Sequence, residues 1–252
     1  MNDTIENQKD AEIAMTVADE DVNAMLKAGV HIGHVPSKTH PKMAPFIFAN
    51  RNGMAIFDLI KTKEKLLAAE AFISKLVAED KLILFVGTKP SAKGFIKKIG
   101  ERHGYPVIAD RWIGGTLTNY KVILGRIQEL ERLEREKAEG GFRKYTKKEA
   151  MGKEEEIAHL EKSFGGLRKL KKIPDAVFLA DIDENDLAVR EAFRMHVPTI
   201  AITDSNTDPT PINYPIPAND NSTPALEYVF GRIEKAIEEG KKGIKAPESQ
   251  EL

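Results

Sequence analysis

Strand-sized apolar runs alternate with helix-length amphipathic segments along most of this 252-residue chain. No other feature limits its possible folds as strongly. Lys81 to Val86 reads as a buried strand, Ala92 to His103 as a helix and Pro106 to Ala109 as a second strand. Further on, Asp175 to Ala180, Glu184 to Met195 and Thr199 to Ile202 repeat strand, helix, strand before a closing helix from about Thr223 to Glu239. Lys63 to Ala78 is expected to be helical, with Leu66, Leu67, Ala71, Ile73, Leu76 and Val77 forming a broad apolar face. Alternation of this kind predicts an α/β fold, a parallel sheet with helices on both faces and right-handed crossovers.

Two segments depart from that rhythm. Near the start, a short helix from Asp21 to Ala28 should stop at Gly29, and Asn52-Gly53 separates Phe46-Ile47-Phe48 from Met54 to Leu59, which predicts a β-hairpin. In the middle, Ile123, Ile127, Leu130 and Leu133 recur at helical spacing among dense charges, and Ile157, Leu160, Phe164 and Leu167 do so after Gly140-Gly141. Seams this narrow on helices this long predict an inserted antiparallel helical hairpin of coiled-coil type rather than two sheet-covering helices. The expected organisation is therefore an acidic disordered tail over 1–18, an α/β domain from 19–117 and 173–240, the hairpin over 118–172, and a second disordered tail over 241–252.

With no cysteine, the chain has no disulfide, no thiolate metal site and no cysteine nucleophile, in keeping with a reducing cytoplasm. The longest apolar runs, such as Leu82 to Val86, are strand-sized, so no membrane partner is expected. Thirty-eight basic residues face 39 acidic ones. A nucleic-acid partner must therefore be met by local patches, such as Lys89 to Arg102 or Arg168 to Lys172, since the whole-chain charge does not call for one.

Asp110-Arg111-Trp112-Ile113-Gly114-Gly115-Thr116-Leu117-Thr118-Asn119 combines the single Trp, an adjacent Arg, a Gly pair and a Thr/Asn helix cap. Trp112 beside Arg111 is either a stacking surface for a base or ribose, or a core plug at a glycine turn. Val86-Gly87-Thr88-Lys89-Pro90 joins a strand to a helix start, where free amides and Lys89 suit an anion. It lacks the Gly-Lys-Ser/Thr ending of a P-loop and the spacing of a dinucleotide fingerprint. His31 and His34 have no acidic neighbour in sequence to complete a metal site, and Thr203 to Pro209 offers oxygen ligands for a hard cation but reads better as a turn whose Asp and Asn bond their own backbone. No catalytic residue, cofactor or metal is expected.

Together these segments resemble the S-two family of bacterial small-subunit ribosomal proteins. The resemblance runs from about Val22 to Gly240 and is carried, in order, by Leu26 to His34, Pro41 to Ile47, Arg51-Asn52-Gly53, Phe57 to Thr62 and Phe85 to Lys89, then by Arg111 to Asn119, Tyr145 to Glu149, Phe164 to Leu167, Pro174 to Phe178 and Ile216 to Asp220. It implies a flavodoxin-like (Rossmann-like) sheet with an inserted helical hairpin. It also implies a structural role in the cytoplasmic small ribosomal subunit, binding small-subunit rRNA near the neck and neighbouring ribosomal proteins, including the large messenger-binding one. The RNA-binding residues it carries over are Lys42, Arg51, Lys89, Arg111, Trp112, Thr118 and Asn119. The chain departs from the family pattern at Val35 to Pro41, where an Arg-Trp-Asn-Pro run is usual, and at Pro90-Ser91. The competing readings are an enzyme or sensor holding a nucleotide or sugar phosphate at Gly87 to Lys89, and a coiled-coil adaptor acting through Thr118 to Leu170.

Overall fold

Ile83–Val86 and Ala176–Leu179 are buried at every position, as strands covered on both faces must be. In the structure, a computed structural model that describes residues 19–243, they form the middle of a five-stranded parallel sheet. Its strands are β3 (Ile83–Val86), β4 (Val107–Ile108), β5 (Ala176–Leu179), β6 (Thr199–Thr203) and β7 (Tyr214–Pro217), in the order β4-β3-β5-β6-β7. Counted along the chain this is second, first, third, fourth, fifth, the flavodoxin-like order. β1 (Ile47–Arg51) and β2 (Met54–Phe57) form a separate antiparallel pair. Asn52 and Gly53 both have positive φ, 51° and 74°, as a two-residue type I′ turn requires.

Strand β7 is absent from the sequence reading. Pro215 and Pro217 cannot donate to a ladder, and they are tolerated because β7 is an edge strand. The expected tail over 1–18 lies outside the described residues, as does 244–252 of the second tail. Lys241 to Gly243 continue the last helix instead.

The described residues divide into two compact units, one comprising 19–80 with 200–243, the other Lys81–Thr199. In the first, α1 (Glu20–Lys27) and the last described helix (Thr223–Gly243) accompany α2 (Leu59–Ala78). α2 begins earlier than Lys63 because the Asp58 carboxylate accepts from the amides of Ile60 and Lys61, capping the helix there. Its buried face is Leu66, Ala69, Ile73, Leu76 and Val77; Leu67 and Ala71, expected inside, are exposed. The hydroxyl of buried Thr62 donates to the Pro217 carbonyl at 2.8 Å and ties α2 to β7.

The second unit holds α3 (Pro90–His103), α4 (Tyr120–Ala138), α5 (Lys147–Phe164) and α6 (Asp186–Arg194); Thr223–Gly243 is therefore α7. α4 and α5 pack together as an antiparallel pair, turning through Gly140 at φ 74°. Thr146 starts α5 with a reciprocal capping box to Glu149. The seam follows the predicted spacing, with Ile123, Ile127, Leu130 and Leu133 facing Leu160 and Phe164 in the interior, while Ile157 is half-buried. Arg168 is bidentate to Glu134 and Lys137 pairs with Glu154, so charges flank the seam.

Candidate functional site

The loop from Asp110 to Asn119 folds around one carboxylate. Glu191, on the buried face of α6 and 5% exposed, accepts hydrogen bonds from Trp112 Nε1 (3.1 Å), the Gly115 amide (2.8 Å), the Leu117 amide (3.0 Å), and the amide and hydroxyl of Thr118 (both 3.1 Å). Gly115 takes φ 91° within this turn, a conformation that disfavours any residue with a Cβ. Burial alone would push the Glu191 carboxyl up, but these donors hold it below its usual range.

This arrangement corrects part of the sequence reading. Trp112 is 6% exposed and its N–H is spent on Glu191, so it offers no open stacking face and instead shapes the loop from within. Thr118 is likewise committed to Glu191 through its hydroxyl. Asn119 sits at the N-terminus of α4, but its side chain makes no capping bond. Arg111 is exposed and has no ion-pair partner among the described residues. Its neighbour Asp110 is engaged by Lys93 at 3.2 Å.

The strand ends that would suit a phosphate are occupied. Where β3 and β5 meet at the switch in strand order, the Thr88 hydroxyl donates to Glu184 at 3.0 Å, and Asn185 Nδ2 donates to Thr88 at 3.1 Å and to Asp181 at 3.0 Å. Asp181 and Asn185 are fully buried. Burial pushes the Asp181 carboxyl up, and the charge of nearby Lys89 opposes that shift. Two carboxylates and a buried amide fill the crevice where doubly wound folds bind ligands, so a nucleotide or sugar phosphate at Gly87 to Lys89 meets acidic repulsion. Lys89 balances buried acid there rather than presenting a free cation.

In the first unit, Lys42 pairs with Asp208 at 2.8 Å, and Arg51 is exposed at the tip of the β1-β2 hairpin. His34 Nδ1 lies 3.0 Å from Asp204, which is 1% exposed, and the His34 amide donates to Ser205 Oγ at 2.8 Å. His34 thus has an acidic neighbour far away in sequence. Among the described residues no group of three or more His, Asp or Glu side chains is placed to hold a metal ion, and no helix is long and apolar enough to cross a membrane. The seven carried-over residues fall into two sets, Lys42 and Arg51 in the first unit, and Lys89, Arg111, Trp112, Thr118 and Asn119 in the second.

The model of the family described as ribosomal protein S2 matches residues 25–240. The chain belongs to the ribosomal protein S2 family. It is also similar to the small ribosomal subunit protein uS2 of Fusobacterium nucleatum, with 40% identity over 231 residues that span 90% of this chain and 94% of that one. For an S2-family chain, the residues that sequence reasoning missed are acidic. Glu191 and Asp181 organise the loops whose basic and aromatic members stand out in the sequence, whereas Asp204 bonds the Ser205 amide within its own turn as expected. Glu191 left one usable signal, a lone carboxylate among the apolar positions of α6, beside Ala188 and Ala192.

Proposed function

We propose that this S2-family chain, a structural constituent of the small ribosomal subunit in the cytoplasm, holds small-subunit rRNA through exposed cations on internally satisfied loops, with Arg111 as the leading contact. The observation that carries the reading is the Glu191 knot. Five donors close on one buried carboxylate, and the loop they fix leaves Arg111 outside, exposed, without an ion-pair partner among the described residues and ready for phosphate. Arg51 serves as a second contact in its own unit, Thr118 keeps the α4 entry in shape beside Arg111, and the uncommitted side chain of exposed Asn119 is a further candidate contact. Lys42 and Lys89 have acidic neighbours in Asp208 and Asp181, so their part is to position these loops rather than to supply most of the affinity.

Residues 118–172 act in this reading as an arm that widens the surface offered to RNA and to neighbouring small-subunit ribosomal proteins, supported by the charges along the α4-α5 seam. Docking of the large messenger-binding ribosomal protein is carried over from the family. The reading assigns the chain no catalysis and no cofactor, supported by the acidic filling of the β3-β5 crevice. Salt-dependent binding to small-subunit rRNA tests it. Arg111→Ala should weaken binding and lower the slope of log affinity against log salt by about one, the signature of one lost phosphate contact. An unchanged slope would remove Arg111 from the contact set.

A further inference from the structure

We propose that the cleft between the Arg111 loop and α5 seats a single unpaired nucleotide of the rRNA. This rests on the rRNA-binding reading above and adds where the RNA enters and in what form. The cleft lies wholly within the unit Lys81–Thr199 and has a volume of about 710 Å³, inside the range of about 300–1,000 Å³ typical of sites for small organic groups.

Its lining divides by chemistry. Trp112 and Phe164, 6% and 8% exposed, and half-buried Ile113 make the buried part of the lining apolar, with Trp112 contributing a wall rather than a stacking face. The mouth is cationic. Arg111 from the loop and Lys162 from α5 are exposed and have no ion-pair partner among the described residues. The one carboxylate in the lining, Asp110, is neutralised by Lys93 at 3.2 Å. A smaller adjoining cleft of about 260 Å³ shares Arg111, Lys162 and Asp110 and adds exposed Lys97 and Glu161, the latter paired with Arg168, so cations and countercharges continue past the mouth.

An apolar bottom under a cationic rim matches a nucleotide that has left its stack, with the base lodged inside and its flanking phosphates on the rim. Base-paired RNA does not fit that description, because its base faces are stacked and its duplex is too wide for a space of this size. Nor does a free nucleotide. Every polar side chain of the lining, from Lys93 to Ser163, is exposed or half-buried, so none is fixed in the interior to orient a small ligand, and the rest of an RNA strand must supply the alignment. Arg111 and Lys162 come from a loop and a helix of the same unit, so the nucleotide would join the inserted hairpin to the sheet edge.

The test places a photoreactive phenylalanine analogue at Ser163, and separately at Asn119, in the full chain assembled into small subunits. Irradiation should link Ser163 to one unpaired rRNA nucleotide, read as a single stop in primer extension. Linkage from Asn119 with none from Ser163, or linkage of Ser163 to protein or to a paired stretch, overturns the cleft proposal and leaves rRNA binding standing. Linkage from neither position overturns both. Chemical probing provides a check free of any bulky side chain, since Lys162→Ala changes only an exposed residue. In subunits carrying it, the same nucleotide should gain reactivity, and unchanged protection overturns the proposal. Equilibrium dialysis of the free protein with adenosine monophosphate should show no saturable binding; saturation at micromolar concentration would make the cleft a free-nucleotide site instead.

Discussion

Glu191 shows how a charge can stabilise an interior that has no cationic partner for it. A carboxylate that accepts from an indole, a hydroxyl and three amides has its lone pairs occupied, and each bond to an ionised group contributes more than a neutral one. Because the folded carboxyl is held below its usual range, its contribution is complete above the unfolded value, about 4.3, and is lost as pH falls through the lower folded value. Glu191→Gln should therefore destabilise the protein by about 1–3 kcal/mol near neutral pH, since it places an amide against donors. The gap between variant and parent should narrow below about pH 4. Urea unfolding at both conditions measures it, and a gap indifferent to pH would show that the charge at Glu191 contributes nothing. At this scale the sequence displays Trp112, Arg111 and the glycines plainly. It does not display their partner, because a hydrogen bond between residues 79 positions apart leaves no local periodicity.

Among the elements, the helical hairpin is the most legible and the edge strand the least. Both outcomes have physical causes. Residues such as Ile123, Ile127 and Leu130 repeat at the helical period and have few other places to go once a dense charged face surrounds them. β7 is hidden because Pro215 and Pro217 break the pattern of a strand, and only its place at the sheet edge, a tertiary fact, makes them harmless. The start of α2 lay between these cases. Leu59 continues the apolar run of the preceding strand, and the Asp58 cap settles which element it joins. The hairpin's two supports should differ in weight. Leu130, fully buried in the seam, should cost about 2–5 kcal/mol as Leu130→Ala, whereas loss of the capping box in Thr146→Ala should cost about 1 kcal/mol. Thermal unfolding of both variants checks the ranking. Equal losses would mean that the seam is not what holds the pair together.

For the whole molecule, the alternation of strands and helices makes the parallel sheet readable, but it says nothing of strand order. Order decides function here, because it creates a switch between β3 and β5 where a related architecture would take a phosphate. Thr88, Asp181, Glu184 and Asn185 close that position, and positive charge available to a polyanion lies elsewhere, on exposed cations such as Arg51, Lys97, Arg111 and Lys162. The near-neutral net charge of −1 is then no obstacle, since a few exposed cations at fixed places do what a uniformly basic surface would do less selectively. On the proposed reading, this S2-family chain grips rRNA electrostatically, through these cations. Sedimentation of small subunits carrying either the parent chain or Arg111→Ala with Lys162→Ala, across a series of salt concentrations, tests it most directly. The parent should travel with the subunit and leave it only at high salt, and the double variant should leave at distinctly lower salt. Release of both at the same concentration, or a parent chain found free of subunits at low salt, would contradict it.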